Sequence, residues 1–161
     1  VWLDAEIVLE LNRQVLRFSD ETPGVRGGTR LEAALMRPKA QYLIPDAELS
    51  HLAAYYAEAI TGKHVFRGGN KRTSLAATAV FLRLNGLDIE ATLPPTGTSE
   101  TFDEETFEHI VALSTGEIDA VAFGNWLASL PSISHENGYF FLIGTGRLIG
   151  GHAAFPERGD A

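Results

Sequence analysis

His64, Gly68, Gly69, Asn70, Lys71 and Arg72 fall within one nine-residue stretch, HVFRGGNKR, directly before an apolar segment. A helix that begins at Asn70 leaves its first backbone N–H groups unpaired and carries positive potential there. Glycines just before a helix allow unusual backbone angles and close approach of a ligand. Gly68, Gly69 and Asn70 therefore suit an anion nest. Lys71 and Arg72 add charge, and arginine makes two-point contacts with phosphate oxygens. Asn70 either clips the loop or binds a ligand oxygen. His64 offers an imidazole that can take a proton from an incoming hydroxyl. Together these parts suit transfer of a phosphate-containing group from a nucleotide to an alcohol. Phe66, a large aromatic inside the glycine loop stretch, reads as the anchor that pins the loop. The spacing fits neither a Walker loop nor the dinucleotide glycine pattern. The same residues also describe a tight turn before a solvated helical turn, and residue types alone leave both readings open.

The flanking sequence predicts mostly helices. Asp4 caps a first helix to about Phe18, through Ile7, Val8, Leu11, Val15 and Leu16. Ser19 to Thr29 is a loop with Pro-Gly and Gly-Gly turn signals. Leu31 to Met36 is a short helix stopped by Arg37-Pro38. Tyr42 to Pro45 reads as an extended flap. Ser50 to Ile60 is helical, with Gly62 as its stop. The motif helix runs from Asn70 to Leu84, with Leu75, Ala79 and Leu82 as its stripe, and its alanines suit the centre of a bundle. Leu87 to Ala91 alternates as a short strand. Helices follow near 103–115 and 117–128, split by Gly116. The glycine-rich tail suits a hairpin of Tyr139–Ile143 with Arg147–Ile149. The expected fold is mainly α: one helical bundle over residues 1–130, with residues 131–161 as an extension packed on it.

Composition narrows the partners. The 161 residues carry a formal net charge of −8, which opposes a general nucleic-acid surface. A local cationic spot at Arg67, Lys71 and Arg72 suits one anionic ligand instead. There are no cysteines, which fits a reducing compartment. Val1 to Glu6 reaches acids at once and does not resemble a secretory leader. No apolar run approaches the roughly 20 residues of a membrane span. A cytoplasmic location is the expectation. The five histidines show no metal-ligand spacing. Asp119 reads as a surface residue, and Thr73 and Ser74 as local capping groups.

The stretch His64–Arg72 closely resembles the Fic/Doc signature, His-x-Phe-x-Asp/Glu-Gly/Ala-Asn-x-Arg. Gly24-Val25-Arg26, Leu31 to Leu35, Thr73 to Ala76, Phe81 to Gly86 and Ala112 to Leu127 extend the likeness over roughly residues 2–128. The resemblance implies a helical fold in which His64 is the base, Gly69 and Asn70 shape the loop, Arg72 holds nucleotide phosphates and Phe66 anchors. It implies ATP as the nucleotide and a Ser, Thr or Tyr hydroxyl of a protein as acceptor. Lys71 stands where the Doc, or death-on-curing, toxins have lysine and many AMP-transferring members have glycine. That branch passes the terminal phosphate to the tRNA-delivering translation elongation factor and is held by a small antitoxin. AMP transfer remains the alternative.

The family's magnesium-binding acid falls on Gly68, which has no side chain to bind a metal. Magnesium participation is therefore left open, with Asp88 or Glu90 as acids that would have to reach the loop. A catalytically degenerate binding protein is a further alternative on the same ground. The string Ser132-Ile133-Ser134-His135-Glu136-Asn137 resembles the family's inhibitory motif, which implies a pair between Glu136 and Arg72. Its other reading is a surface turn capped by Ser132.

Overall fold

The structure, a computed structural model, describes residues 1–45, 47–89, 104–130, 132–134, 140–142 and 147–149. Six helices appear among them: α1 (Ala5–Val15), α2 (Arg30–Tyr42), α3 (Leu49–Gly62), α4 (Asn70–Leu84), α5 (Glu104–Thr115) and α6 (Ala120–Ser129). Four short strands accompany them: β1 (Leu87–Ile89), β2 (Ser132–Ser134), β3 (Phe140–Leu142) and β4 (Arg147–Ile149). The strands form two antiparallel pairs, so the described fold is mainly α, as expected. None of the described helices is long and apolar enough to cross a membrane.

Helices α3 and α4 share the centre. α4 is buried almost all round, from Thr73 to Leu84 with only Arg83 partly exposed. α3 packs against α2, α4, α5 and α6, so it is as central as the motif helix. Ala53, Ala54, Ala57, Ala76 and Ala77 are all buried, and such small side chains let backbones approach closely. Gly124 serves the same end between α6 and α3: a Cβ there would lie 2.6 Å from His51 Cδ2 and 2.9 Å from its Cα.

Local capping explains several boundaries. Asp4 accepts from the Ile7 N–H at 2.9 Å and starts α1. Asp119 does the same for Ala122 at 2.8 Å, so it is the cap of α6 and not an idle surface residue. α1 ends at Val15, short of Phe18, because residues 17 and 19 bond back by one turn of three. Gly116, at φ +78°, separates α5 from α6.

Two expectations fail around Pro38. α2 does not stop at Arg37 but runs through the proline to Tyr42. Leu31, Ala34, Leu35 and Pro38 are its buried residues, spaced i, i+3, i+4, i+7. Burial of the ring on that stripe offsets the lost backbone bond, which costs about 3 kcal/mol in an exposed helix. Tyr42 to Pro45 is consequently a helix end and a turn, not an extended flap, and it leaves Leu43 81% exposed.

β2 pairs with β1, Ser132 opposite Ile89 and Ser134 opposite Leu87, which ties residues 132–134 to the end of the motif helix. The expected tail hairpin is present as Phe140–Leu142 with Arg147–Ile149, while Tyr139 and Ile143 lie outside the described residues.

Tyr56 shows how the core fixes α1. It is fully buried, 5.0 Å from the Phe81 ring, and its hydroxyl accepts from the Leu3 N–H at 3.2 Å. Burial pushes its ionisation far above the ordinary range. The unfolded chain releases this proton near pH 10 and the folded chain does not, so stability should fall as pH rises above about 10. Tyr56→Phe should cost about 1 kcal/mol at neutral pH and flatten that alkaline decline. Chemical denaturation at pH 7 and at pH 10.5 to 11 (roughly one unit above the free value) checks both arms.

Candidate active site

The stretch 64–72 is the connection between α3 and α4, and its shape begins with the way α3 ends. Lys63 is the C-cap, the His64 N–H bonds to Thr61 O at 3.2 Å, and the Val65 N–H reaches back to Ile60 O at 3.4 Å. That pair of bonds is a Schellman motif, whose next residue takes a left-handed backbone and is usually glycine. Here it is His64, at φ +44°. Gly62, expected as the stop, is simply the last helical residue. Ile60 and Val65, the hydrophobic pair that accompanies the motif, are both fully buried. His64 itself is exposed, held out on a strained turn above them.

The loop is then pinned on both sides. Phe66 is fully buried and pairs with Val25 in an isolated antiparallel bridge. The Arg26 N–H donates to Val65 O, and the Arg67 N–H to Gly24 O, each at 2.9 Å. Arg26 Nε adds a bond to Phe66 O at 3.2 Å. Asn70 closes the loop on itself: its Oδ1 accepts from the Phe66 N–H and its Nδ2 donates to Phe66 O, both at 2.9 Å. Of the two roles open to Asn70, the structure shows the clip.

Gly69 is the N-cap of α4, at φ +70°, with no side-chain bond over the helix start. The first turn of this 15-residue helix thus has no side-chain cap, and the positive end of the helix lies at the loop. A Cβ at Gly69 would lie 2.8 Å from Leu16 Cδ2, and Leu16 is buried. Gly69→Ala therefore meets both a left-handed strain and a clash. We expect a loss of about 2–4 kcal/mol in stability and loss of any phosphate affinity, read by thermal unfolding with and without pyrophosphate.

Arg72 reaches back from this first turn to the end of α1. Its Nη1 donates to Val15 O at 3.3 Å, and its Nη2 pairs with Glu21 Oε2 at 3.1 Å. Arg67 and Lys71 are exposed beside it. Ser74 Oγ bonds back to Lys71 O at 2.8 Å, the local role expected of it.

Two residues with no part in the sequence reading organise the site. Asn12 of α1 is fully buried, and its amide is fully used. Nδ2 donates to Gly68 O and to Thr73 Oγ1, each at 3.0 Å, and Oδ1 accepts from the Gly24 N–H at 2.9 Å. The signal for it was available: a polar residue on the apolar stripe of α1, four after Val8, must have partners. Glu21 is the second, and no local pattern marks it.

The other candidates are not brought to the loop. Asp88 lies on β1, which follows the far end of α4, a helix about 22 Å long by its rise per residue. It is therefore corrected as a source of an acid for the site, and Glu90 lies outside the described residues. Ser132 sits on β2, paired to that same distant strand, so the string that resembles an inhibitory motif begins as strand and not helix. Glu136 lies outside the described residues.

The chain belongs to the Fic/DOC family, whose model matches residues 2–82. Among curated relatives it is 30% identical over 110 residues to Protein kinase doc of Escherichia phage P1, covering 67% of this chain and 78% of that protein. It is 36% identical over 92 residues to Toxin Doc of Mycolicibacterium smegmatis, covering 56% of this chain and 68% of that one. Homology of this kind points to a nucleotide-dependent transferase activity.

For the magnesium ion that the family implies, Gly68 supplies no ligand, and the described residues contain no cluster of three or more His, Cys, Asp or Glu. Magnesium at a phosphate site needs only one or two carboxylates, because phosphate and water oxygens complete its shell. Glu21 brings one carboxylate beside Gly68, with the Thr22 carbonyl next to it. That set meets the minimum.

Proposed function

We propose that this protein transfers the terminal phosphate of ATP to a hydroxyl side chain of another protein. The observation that carries the reading is that one short loop joins His64 on a left-handed turn to an uncapped helix start whose first turn holds Arg72. Two relatives named as Doc proteins, one of them a kinase, support it. In the reaction, an imidazole nitrogen of His64 takes the proton of the acceptor hydroxyl as its oxygen bonds to the γ-phosphorus. The bond from that phosphorus to the bridging oxygen breaks, and ADP leaves. Helix N–H groups and Arg72 offset the charge on the phosphate oxygens. A divalent ion, when bound, would offset charge on the phosphates. The acceptor we favour is a translation elongation factor, with a small antitoxin as controlling partner.

Purified protein, a bacterial extract, magnesium and ATP labelled at the α or the γ phosphate test this. Label from the γ position on a discrete protein band, lost in His64→Ala, is the expected result. Label from the α position would make the chain an AMP transferase. No label from either, with ATP still bound, would favour a member whose work is binding, the reading that Gly68 supports.

A further inference from the structure

We propose that Glu21 is the metal-binding carboxylate of this site, brought to Gly68 from the loop after α1. The proposal rests on the phosphate-site reading above.

The first observation is steric. A Cβ placed on Gly68 would lie 2.9 Å from Glu21 Cβ, 3.2 Å from Glu21 Oε2 and 3.4 Å from Thr22 O. The volume where a side chain at 68 would begin is already filled by the side chain at 21. Two hard oxygens, one carboxylate and one carbonyl, converge there, and these are the donors a divalent cation prefers. Gly68 has no left-handed backbone angle that would itself demand glycine. What excludes a side chain at 68 is Glu21.

The second observation is electrostatic. Glu21 Oε2 pairs with Arg72 at 3.1 Å, with the two side chains 49% and 38% exposed. An exposed pair of this kind contributes little to stability, so an incoming phosphate can take over Arg72. Glu21 would then face a polyphosphate with no partner of its own. It cannot go far. The Glu21 N–H is bonded to Ser19 Oγ at 3.1 Å, the Gly24 N–H to Asn12 at 2.9 Å, and Gly24 O to the Arg67 N–H at 2.9 Å. A carboxylate tethered beside phosphates repels them unless a cation lies between. A divalent ion bridging Glu21 and the phosphates resolves that conflict.

The test is ATP affinity by titration calorimetry with and without magnesium, with manganese binding followed by electron paramagnetic resonance. In the natural protein, magnesium should tighten ATP by about tenfold or more. In Glu21→Gln, which keeps the volume and removes the charge, that enhancement should fall to about twofold or less. Gly68→Glu alone collides with Glu21 and should lower stability without restoring anything. The exchanged variant, Glu21→Gly with Gly68→Glu, should regain the enhancement and the manganese signal. Glu21→Gln that binds ATP more tightly with its magnesium enhancement intact would make Glu21 only a competitor for Arg72 and overturn the proposal. Magnesium-independent binding by the natural protein would overturn it equally. Failure of the natural protein to bind ATP under either condition would instead sink the phosphate-site reading on which this one rests.

Discussion

Replacing His64 with glycine should stabilise the fold while abolishing the proposed transfer. His64 occupies the position after the C-cap of α3 at φ +44°, where the backbone bonds of the turn are complete. A left-handed angle costs a residue with a side chain about 1–2 kcal/mol. Glycine removes that cost but gives the unfolded chain about 0.4–1 kcal/mol of extra freedom. The net gain should be about 0.5–1 kcal/mol, or a melting temperature about 1–4 °C higher for a chain of this size. Loss of a general base should lower transfer by about 10²–10⁴-fold. His64→Ala separates the two effects. It should lose transfer equally but gain no stability, because alanine still carries a Cβ on the strained turn. His64→Asn should fall between, since asparagine tolerates the left-handed region. Equal melting temperatures for the glycine and alanine variants would refute the strain account. Retained transfer in either would refute the role of the base. A histidine kept where glycine fits better is what a functional demand on that turn predicts.

The site was legible where its logic is local. A glycine pair before an apolar run announces a helix start, and α4 begins at Asn70 and ends at Leu84 as read from the sequence. Asp4 as a cap and Phe66 as an anchor are equally local and equally visible. Pro38 misled because the proline rule is also local, while burial against α3 decided the outcome. The acid at the loop could not be read. Gly68 suggested an absence, yet the missing group arrives 47 positions earlier in the chain, through a tertiary approach that no spacing rule encodes. The strained turn at His64 was hidden for a related reason. Gly62 looked like the natural stop, and only the bonds from residues 64 and 65 show that α3 runs past the expected point.

Asn12 should prove the residue on which the loop's position depends most. It is an indifferent helix former placed in the middle of α1, and it makes no contact that α1 itself requires. Its three bonds instead join α1 to Gly68 of the loop, Thr73 of α4 and Gly24 of the strand-like crossing. Asn12→Ala strands a carbonyl, a hydroxyl and an N–H at once. A buried group left without a partner costs about 1–3 kcal/mol. Thr73 is fully buried and bears that cost outright, whereas Gly68 and Gly24 are partly exposed and can recruit water. A total of about 2–4 kcal/mol is therefore expected, read by urea unfolding. Asn12→Asp keeps the shape and the acceptor for Gly24 but cannot donate to Gly68 O. It also sets a charge against that carbonyl in a dry site, so it should be no better than alanine at neutral pH. If shape alone mattered, the aspartate variant would behave like the natural protein. The loop readout is separate from stability. With Gly68 released, ATP affinity at temperatures well below unfolding should fall by about tenfold, while Tyr56→Phe, a milder destabilisation away from the loop, should leave it unchanged. Equal affinity in the two variants would make Asn12 a packing residue only. Reduced affinity in Asn12→Ala alone would mean that α1 acts as the fixed wall against which the phosphate loop is held.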